Sequence, residues 1–228
     1  MPSYGQFCPV AKSAEILGDP WSILIVRELM LGSCRFSELQ RGLPKISPTV
    51  LNTRLKGLAK SGVLLKRKLN GQRGHAYYLS VAGKELEPVI ESLVVWGMRW
   101  AREHMEDEDY DATFLMFDIQ RNFDPTCLPD GDTTLCFTFS DLKEYKKWWL
   151  LVTDGEVDIC YDDPGKEVNV YVTAGIREIT DVYMGDREIS DALKSGSVKV
   201  IGESQLTRRF SKWFPRSDAA NIPRVAKE

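Results

Sequence analysis

The sequence predicts an α+β chain built as two domains, and three observations predict it. Through most of residues 1–105 apolar residues recur at helical spacing, interrupted by one short hairpin pattern. Beyond residue 111 the pattern changes to short apolar runs and strict alternation between turn signals, followed by helical patterns, which reads as a mostly antiparallel sheet covered by helices. Charge divides at the same place. Residues 1–105 carry 15 Lys plus Arg against 8 Asp plus Glu, a balance of +7, whereas residues 106–228 carry 15 against 25, a balance of −10. A chain of 228 residues is long enough for two ordinary domains. The boundary is expected in the acidic run from Met105 to Asp111, which gives domains at 1–105 and 111–214 and a loose tail at 215–228.

The first helix is expected after Cys8-Pro9, where Val10, Ser13, Ala14 and Leu17 share a face. Gly18-Asp19-Pro20 ends it and starts a second helix over residues 21–31, apolar on most sides and closed by Gly32. Phe36-Ser37-x-x-Gln40 predicts a short helix with a serine N-cap, and Gly42-Leu43-Pro44 a turn. Ser47 is the N-cap expected for the next helix, which runs to Ser61-Gly62 with Leu51, Leu55 and Leu58 on its buried stripe. At 100° per residue its opposite face carries Thr49, Asn52, Thr53, Lys56 and Lys60, small polar and basic side chains that suit base edges and phosphates in a major groove. Residues 63–69 then read as a strand, 70–74 as a tight loop and 76–79 as the returning strand, the hairpin wing of a winged helix-turn-helix.

From Leu39 to Lys84 there is no Asp or Glu, yet ten side chains are basic: Arg41, Lys45, Arg54, Lys56, Lys60, Lys66, Arg67, Lys68, Arg73 and Lys84. Solvated faces normally interleave both signs, so this one-sided run points to an anionic partner, double-stranded DNA. After it, Leu86, Ile90, Leu93, Gly97 and Trp100, widened by Val89 and Trp96, form an apolar stripe on a helix expected to reach Met105. A lone winged helix has little core left to cover that stripe, and a second copy of the chain would cover it.

In the acidic half, strands are expected at residues 112–119, 133–139, 148–153, 156–161 and 167–173. Helices at 175–183 and 187–193, a final strand at 196–202 and an amphipathic helix at 204–214 complete it. Trp148, Trp149, Tyr171, Tyr183 and Met184 are candidates to line an apolar ligand pocket, although such residues are ordinarily core.

Other classes find little material. The five cysteines have no metal-ligand spacing, and two histidines offer little for a triad or multi-histidine site, so neither a metal, a cofactor nor an enzymatic activity is expected. No uninterrupted run approaches the roughly 20 apolar residues that span a bilayer, and no secretory leader is evident, so a cytoplasmic protein without stable membrane insertion is expected.

The first half resembles the HxlR family of bacterial winged-helix regulators over about residues 4–105. The motifs are Cys8-Pro-Val, Gly18-Asp-Pro-Trp-Ser-Ile-Leu-Ile-Val-Arg-Glu-Leu, Arg35-Phe-Ser-Glu-Leu, Ile46-Ser-Pro-x-Val-Leu-x-x-Arg-Leu-Lys-x-Leu, Gly62-Val-Leu and Tyr78-Leu-Ser. The resemblance implies a homodimer on a palindromic operator, usually a repressor, with DNA contacts from Ser47 to Lys56, Arg54 included, and on the wing around Arg67, Lys68, Arg73 and His75. It also implies an alternative trigger, because several members sense oxidants or electrophiles through a cysteine where Cys8 stands, at a helix start that can favour thiolate. Residues 111–214 resemble the sterol carrier protein type two fold through Asp154-Gly155, Val170-Tyr171-Val172, the segment from Asp191 to Gly196, that from Val198 to Glu203, and Leu206 to Phe214. That fold implies an apolar small-molecule or lipid effector, and leaves open a lipid carrier whose basic half meets anionic membrane.

Overall fold

The computed structural model describes residues 3–69 and 74–223, and the chain divides between Trp96 and Gly97 into two compact units. The first unit begins with α1 (Pro9–Leu17), α2 (Ser22–Met30), α3 (Phe36–Gly42) and α4 (Pro48–Lys60). An antiparallel hairpin follows, β1 (Leu64–Lys68) against β2 (His75–Leu79), with Leu64 opposite Leu79 and Lys68 opposite His75. The short α5 (Val81–Lys84) and α6 (Glu87–Trp96) close the unit. Its core joins Ile25, Val26 and Leu29 of α2, Leu39 of α3, Leu51, Leu55 and Leu58 of α4, and Leu64 and Tyr77 of the hairpin. Removing three leucines of α4 from water contributes about 1.5–3 kcal/mol each and fixes which side of that helix faces out.

The second unit contains α7 (Ala112–Asn122), β3 (Thr133–Phe139), β4 (Lys147–Thr153), β5 (Glu156–Cys160), β6 (Val170–Ala174), α8 (Ile176–Tyr183), α9 (Ile189–Ser195), β7 (Val198–Gly202), α10 (Ser204–Thr207) and α11 (Phe210–Trp213). Its five strands lie in the order β5-β4-β3-β6-β7, antiparallel except for the β3–β6 pair. Alternate residues of the strands, among them Leu135, Phe137, Trp148, Leu150, Val170 and Val172, share one core with Met116, Ile119, Ile179, Ala192, Leu206, Phe210 and Trp213 of the helices. The helices therefore cover one face of the sheet. The other face carries Cys136 beside Trp149 and Tyr171, with Tyr171 in register with Ile201.

Several expectations change. Residues 112–119, expected as a strand, belong to α7. Asp111 caps it by accepting from the Phe114 N–H at 2.8 Å, and Ala112, Leu115, Met116 and Ile119 bury one helical face, a spacing that overrides the strand preference of the aromatic run. The single helix expected at 204–214 is two short ones, because the Trp213 indole N–H donates to the Leu206 carbonyl at 2.9 Å and packs the second turn back on the first. The helix expected to reach Met105 stays α-helical only to Trp96, and residues 97–101 form a π turn. The division at Trp96 lies upstream of the acidic run. Residues just after it belong to the second unit, since the Arg102 guanidinium donates to Asp186 Oδ2 from Nε at 2.9 Å and Nη2 at 2.6 Å.

Candidate nucleic-acid interface

Helix α4 is placed by its ends as well as its leucines. Ser47 Oγ accepts from the Val50 N–H at 3.3 Å and Pro48 occupies the first helical turn, so the start is set as the sequence implies. Ile46, 2% exposed, plugs the core just ahead, and the Gln40 side-chain amide donates to its carbonyl at 3.2 Å, tying the α3–α4 turn to α3. Thr49, Asn52, Thr53, Lys56 and Lys60 are all exposed. Thr53 Oγ1 donates to the Thr49 carbonyl at 2.9 Å, which leaves its lone pairs outward as acceptors. Arg54 is half-buried, with its Nε 3.1 Å from Asp19 Oδ1, and that ion pair joins α4 to the turn ahead of α2.

The start of α3 is not capped by Ser37. Arg35 holds the N-cap position, and Glu38 Oε2 accepts the N–H groups of Cys34 at 2.7 Å and Arg35 at 2.8 Å. Burial raises the Glu38 carboxyl, but those backbone donors more than offset it and hold it below the usual range. A depressed carboxylate contributes stability present above the unfolded value of about 4.3 and lost as pH falls through the folded one. Glu38→Gln is therefore expected to lower the urea midpoint at pH 7, with the gap to the parent narrowing below about pH 4.3. A gap constant down to pH 3 would remove the carboxylate from the account.

The wing follows α4 directly, the Val63 N–H donating to the Leu58 carbonyl at 3.0 Å. Lys66, Arg67, Lys68 and His75 are exposed. Because successive strand residues point to opposite faces, Arg67 lies on one face and Lys66 and Lys68 on the other. The Arg67 guanidinium sits 5.6 Å from the Tyr78 ring centre and the Lys66 ammonium 5.9 Å from that of Tyr77, which holds both stems near the strands. Lys66, one of the ten basic residues of the acid-free stretch, is exposed on the strand face opposite Arg67. Arg73 lies outside the described residues.

The stripe expected to meet a second copy splits in two. Leu86 and Ile90 are half-buried on the core of their own unit. Exposed instead are Val89 at 47%, Leu93 at 42% and Trp96 at 59%, with Val94 and Val95 beside them. Gly97 and Trp100 fall in the second unit, in the π turn. The five proposed ligand residues do not converge either. Trp148 and Tyr183 are buried in the core, with Tyr183 Oη donating to Asp118 at 2.8 Å and accepting from Asn122 at 2.7 Å, while Met184 packs against that core. Trp149 and Tyr171 lie on the opposite sheet face, Tyr171 being 48% exposed.

Cys8 occupies the N-cap of α1 and is half-buried. Burial raises the thiols of Cys34, Cys127, Cys136 and Cys160. Among the described residues no group of three or more His, Cys, Asp or Glu could hold a metal ion, and no helix is long and apolar enough to cross a membrane.

Comparison with known proteins points the same way as the basic helix and wing. The HxlR-like helix-turn-helix family matches residues 16–105. The uncharacterized HTH-type transcriptional regulator YvaP of Bacillus subtilis is 36% identical over 97 residues, 42% of this chain and 90% of that protein. YkvN of the same organism, likewise an HTH-type transcriptional regulator, is 30% identical over 105 residues, 46% of this chain and 89% of its own length. Among solved structures, the reduced form of the transcriptional regulator YodB from B. subtilis is 30% identical and covers 43% of this chain and 98% of that one, with a TM-score of 0.36.

Proposed function

Because the chain belongs to the HxlR-like helix-turn-helix family of transcriptional regulators, we propose that it binds a palindromic operator as a homodimer and represses transcription, with a small molecule in the second unit shifting it between DNA-competent and incompetent states. The observation that carries the reading is the coincidence of charge and geometry. The exposed face of α4 and the hairpin after it lie within the stretch from Leu39 to Lys84, where acids are absent. Thr49, Asn52 and Thr53 carry the donors and acceptors for base edges, whereas Lys56, Lys66, Arg67 and Lys68 supply phosphate contacts. The dimer rests on the exposed part of α6, whose apolar side chains a second copy would cover.

Operator affinity should fall with salt by about 0.9 log units per log unit for each phosphate neutralised. Replacing Arg67 and Lys68 by alanine is expected to flatten that slope by about 1–2 and to weaken specific and non-specific DNA alike. Electrophoretic or fluorescence titration from low to physiological salt reads both, and an unchanged slope removes the wing from the interface.

A second reading places the switch on Cys8, whose thiol makes no capping hydrogen bond at the start of α1. Operator release by a quinone or peroxide that persists in Cys8→Ser excludes it.

A further inference from the structure

At one end of the sheet, the loop between β3 and β4 carries a cluster of exposed aromatic side chains. Tyr145 has φ 48°, a left-handed conformation that an aromatic side chain rarely adopts. Asp154, the other non-glycine residue with positive φ among the described residues, sits in the Asp-Gly turn between β4 and β5, where hairpin geometry asks for it. Tyr145 lies in the loop of the β3–β4 hairpin, beside Lys146, whose carbonyl accepts from the Phe139 N–H at 2.8 Å. The Tyr145 carbonyl accepts from the Trp148 indole N–H at 2.9 Å, which clamps the loop in place. Its ring stays 55% exposed and meets Tyr161, itself 57% exposed, edge-on at 5.8 Å. The Trp148 ring stands behind both, 6.3 Å from Tyr145 and 6.0 Å from Tyr161.

These rings border an open depression of about 560 Å³, lined by Glu144, Tyr145, Lys146, Lys147, Trp149 and Tyr161. Half of the lining side chains are aromatic, and two lysines against one glutamate leave the rim positive although residues 106–228 carry a balance of −10. Rings offering edges and faces suit a flat π-system, and a positive rim in an acidic unit suits one anionic group.

We propose that this depression is a binding site for a planar aromatic carboxylate, which stacks against Tyr145 and Tyr161 and sets its carboxylate toward Lys146 and Lys147. The site lies at the end of the sheet, where the β3–β4 loop meets the residue after β5. It deepens the effector reading above and rests on it only for its regulatory consequence.

Calorimetric titration of the full chain with naphthalene-1-carboxylate tests it, with naphthalene-1-methanol as the neutral counterpart. The carboxylate is expected to bind one per chain and more tightly than the alcohol. Tyr145→Gly removes the ring at a backbone position that suits glycine, so the thermal midpoint should hold or rise while affinity drops about tenfold. Lys146→Gln with Lys147→Gln should erase the preference for the acid. The absence of binding at millimolar carboxylate, an unchanged affinity in Tyr145→Gly, or equal binding of the alcohol overturns the site. Operator titration with and without the carboxylate separates the two claims: binding that leaves operator affinity unchanged upholds the site and retires the effector reading.

Discussion

Placing a charge in the exposed stripe of α6, as in Leu93→Glu, should leave the chain monomeric and cost about two to four orders of magnitude in operator affinity. The first part of that expectation is local. Leu93 is 42% exposed, Val89 and Trp96 are more exposed still, and all three belong to a helix of the first unit. A substitution at a side chain already in water ordinarily changes the stability of the isolated unit by less than about 0.5 kcal/mol. Burying a carboxylate in a seam between two copies is a different matter, because an unpaired charge that loses its water is strongly disfavoured. The second part is a matter of valence. Two linked recognition helices on a two-fold operator bind as one ligand, and separating them forfeits an effective concentration that commonly multiplies affinity by about 10²–10⁴. Sedimentation equilibrium reads the mass and operator titration the affinity. A dimer that survives Leu93→Glu with its affinity intact means that α6 is not the seam.

The split within α6 also shows what a sequence can and cannot disclose. Periodicity marks Leu86, Ile90, Leu93 and Trp96 as one apolar face, but not how far the unit's own core reaches along it. Leu86 and Ile90 are claimed by that core and Leu93 and Trp96 are not, because α6 packs alongside α2 only over its first turns. Helix α4 was legible almost in full: its cap, its leucines and its outward polar residues obey one period. The wing was legible because two short strand patterns on either side of a Gly-rich turn signal leave few alternatives. Arg54 was not, since the ion pair with Asp19 joins residues 35 positions apart and no local pattern announces it. In the second unit, the run of Phe114, Leu115, Met116 and Phe117 hid a helix behind strand-forming side chains, although the cap at Asp111 and the spacing of Ala112, Leu115, Met116 and Ile119 were present to be read. The ligand candidates failed for a related reason. Adjacent strand residues such as Trp148 and Trp149 face opposite sides of the sheet, so a list of neighbouring aromatics cannot define one pocket.

Arg27→Met is expected to destabilise the first unit by about 3 kcal/mol, the lower end of what removing one partner of a buried ion pair costs. Glu28 is fully buried in α2, and the Arg27 guanidinium beside it meets its Oε1 at 2.6 Å. Ser33 Oγ donates to the other oxygen at 3.2 Å, and Arg27 also reaches the Gly42 carbonyl at 3.3 Å, linking α2 to the end of α3. Gly42 belongs to the same arrangement. A methyl group there would overlap the Glu28 carboxylate, which would have to shift from its place beside Arg27. With Arg27 gone, the carboxylate keeps its burial and loses its cation. Arg27 is 26% exposed on its side chain, which is why the lower end of the range is expected. Against a typical domain stability of about 5–15 kcal/mol, that loss should show as a large fall in the urea midpoint. It should also reach function, because α2, α3 and α4 share one core and the exposed face of α4 is aimed by it. The double change Arg27→Met with Glu28→Leu removes both charges and refills the space with carbon, so it should recover most of the stability and give a strong coupling between the two positions. If Arg27→Met shifts stability by less than about 1 kcal/mol, or if the double variant is as unstable as the single, then the guanidinium is not what keeps Glu28 in the core of the DNA-binding unit.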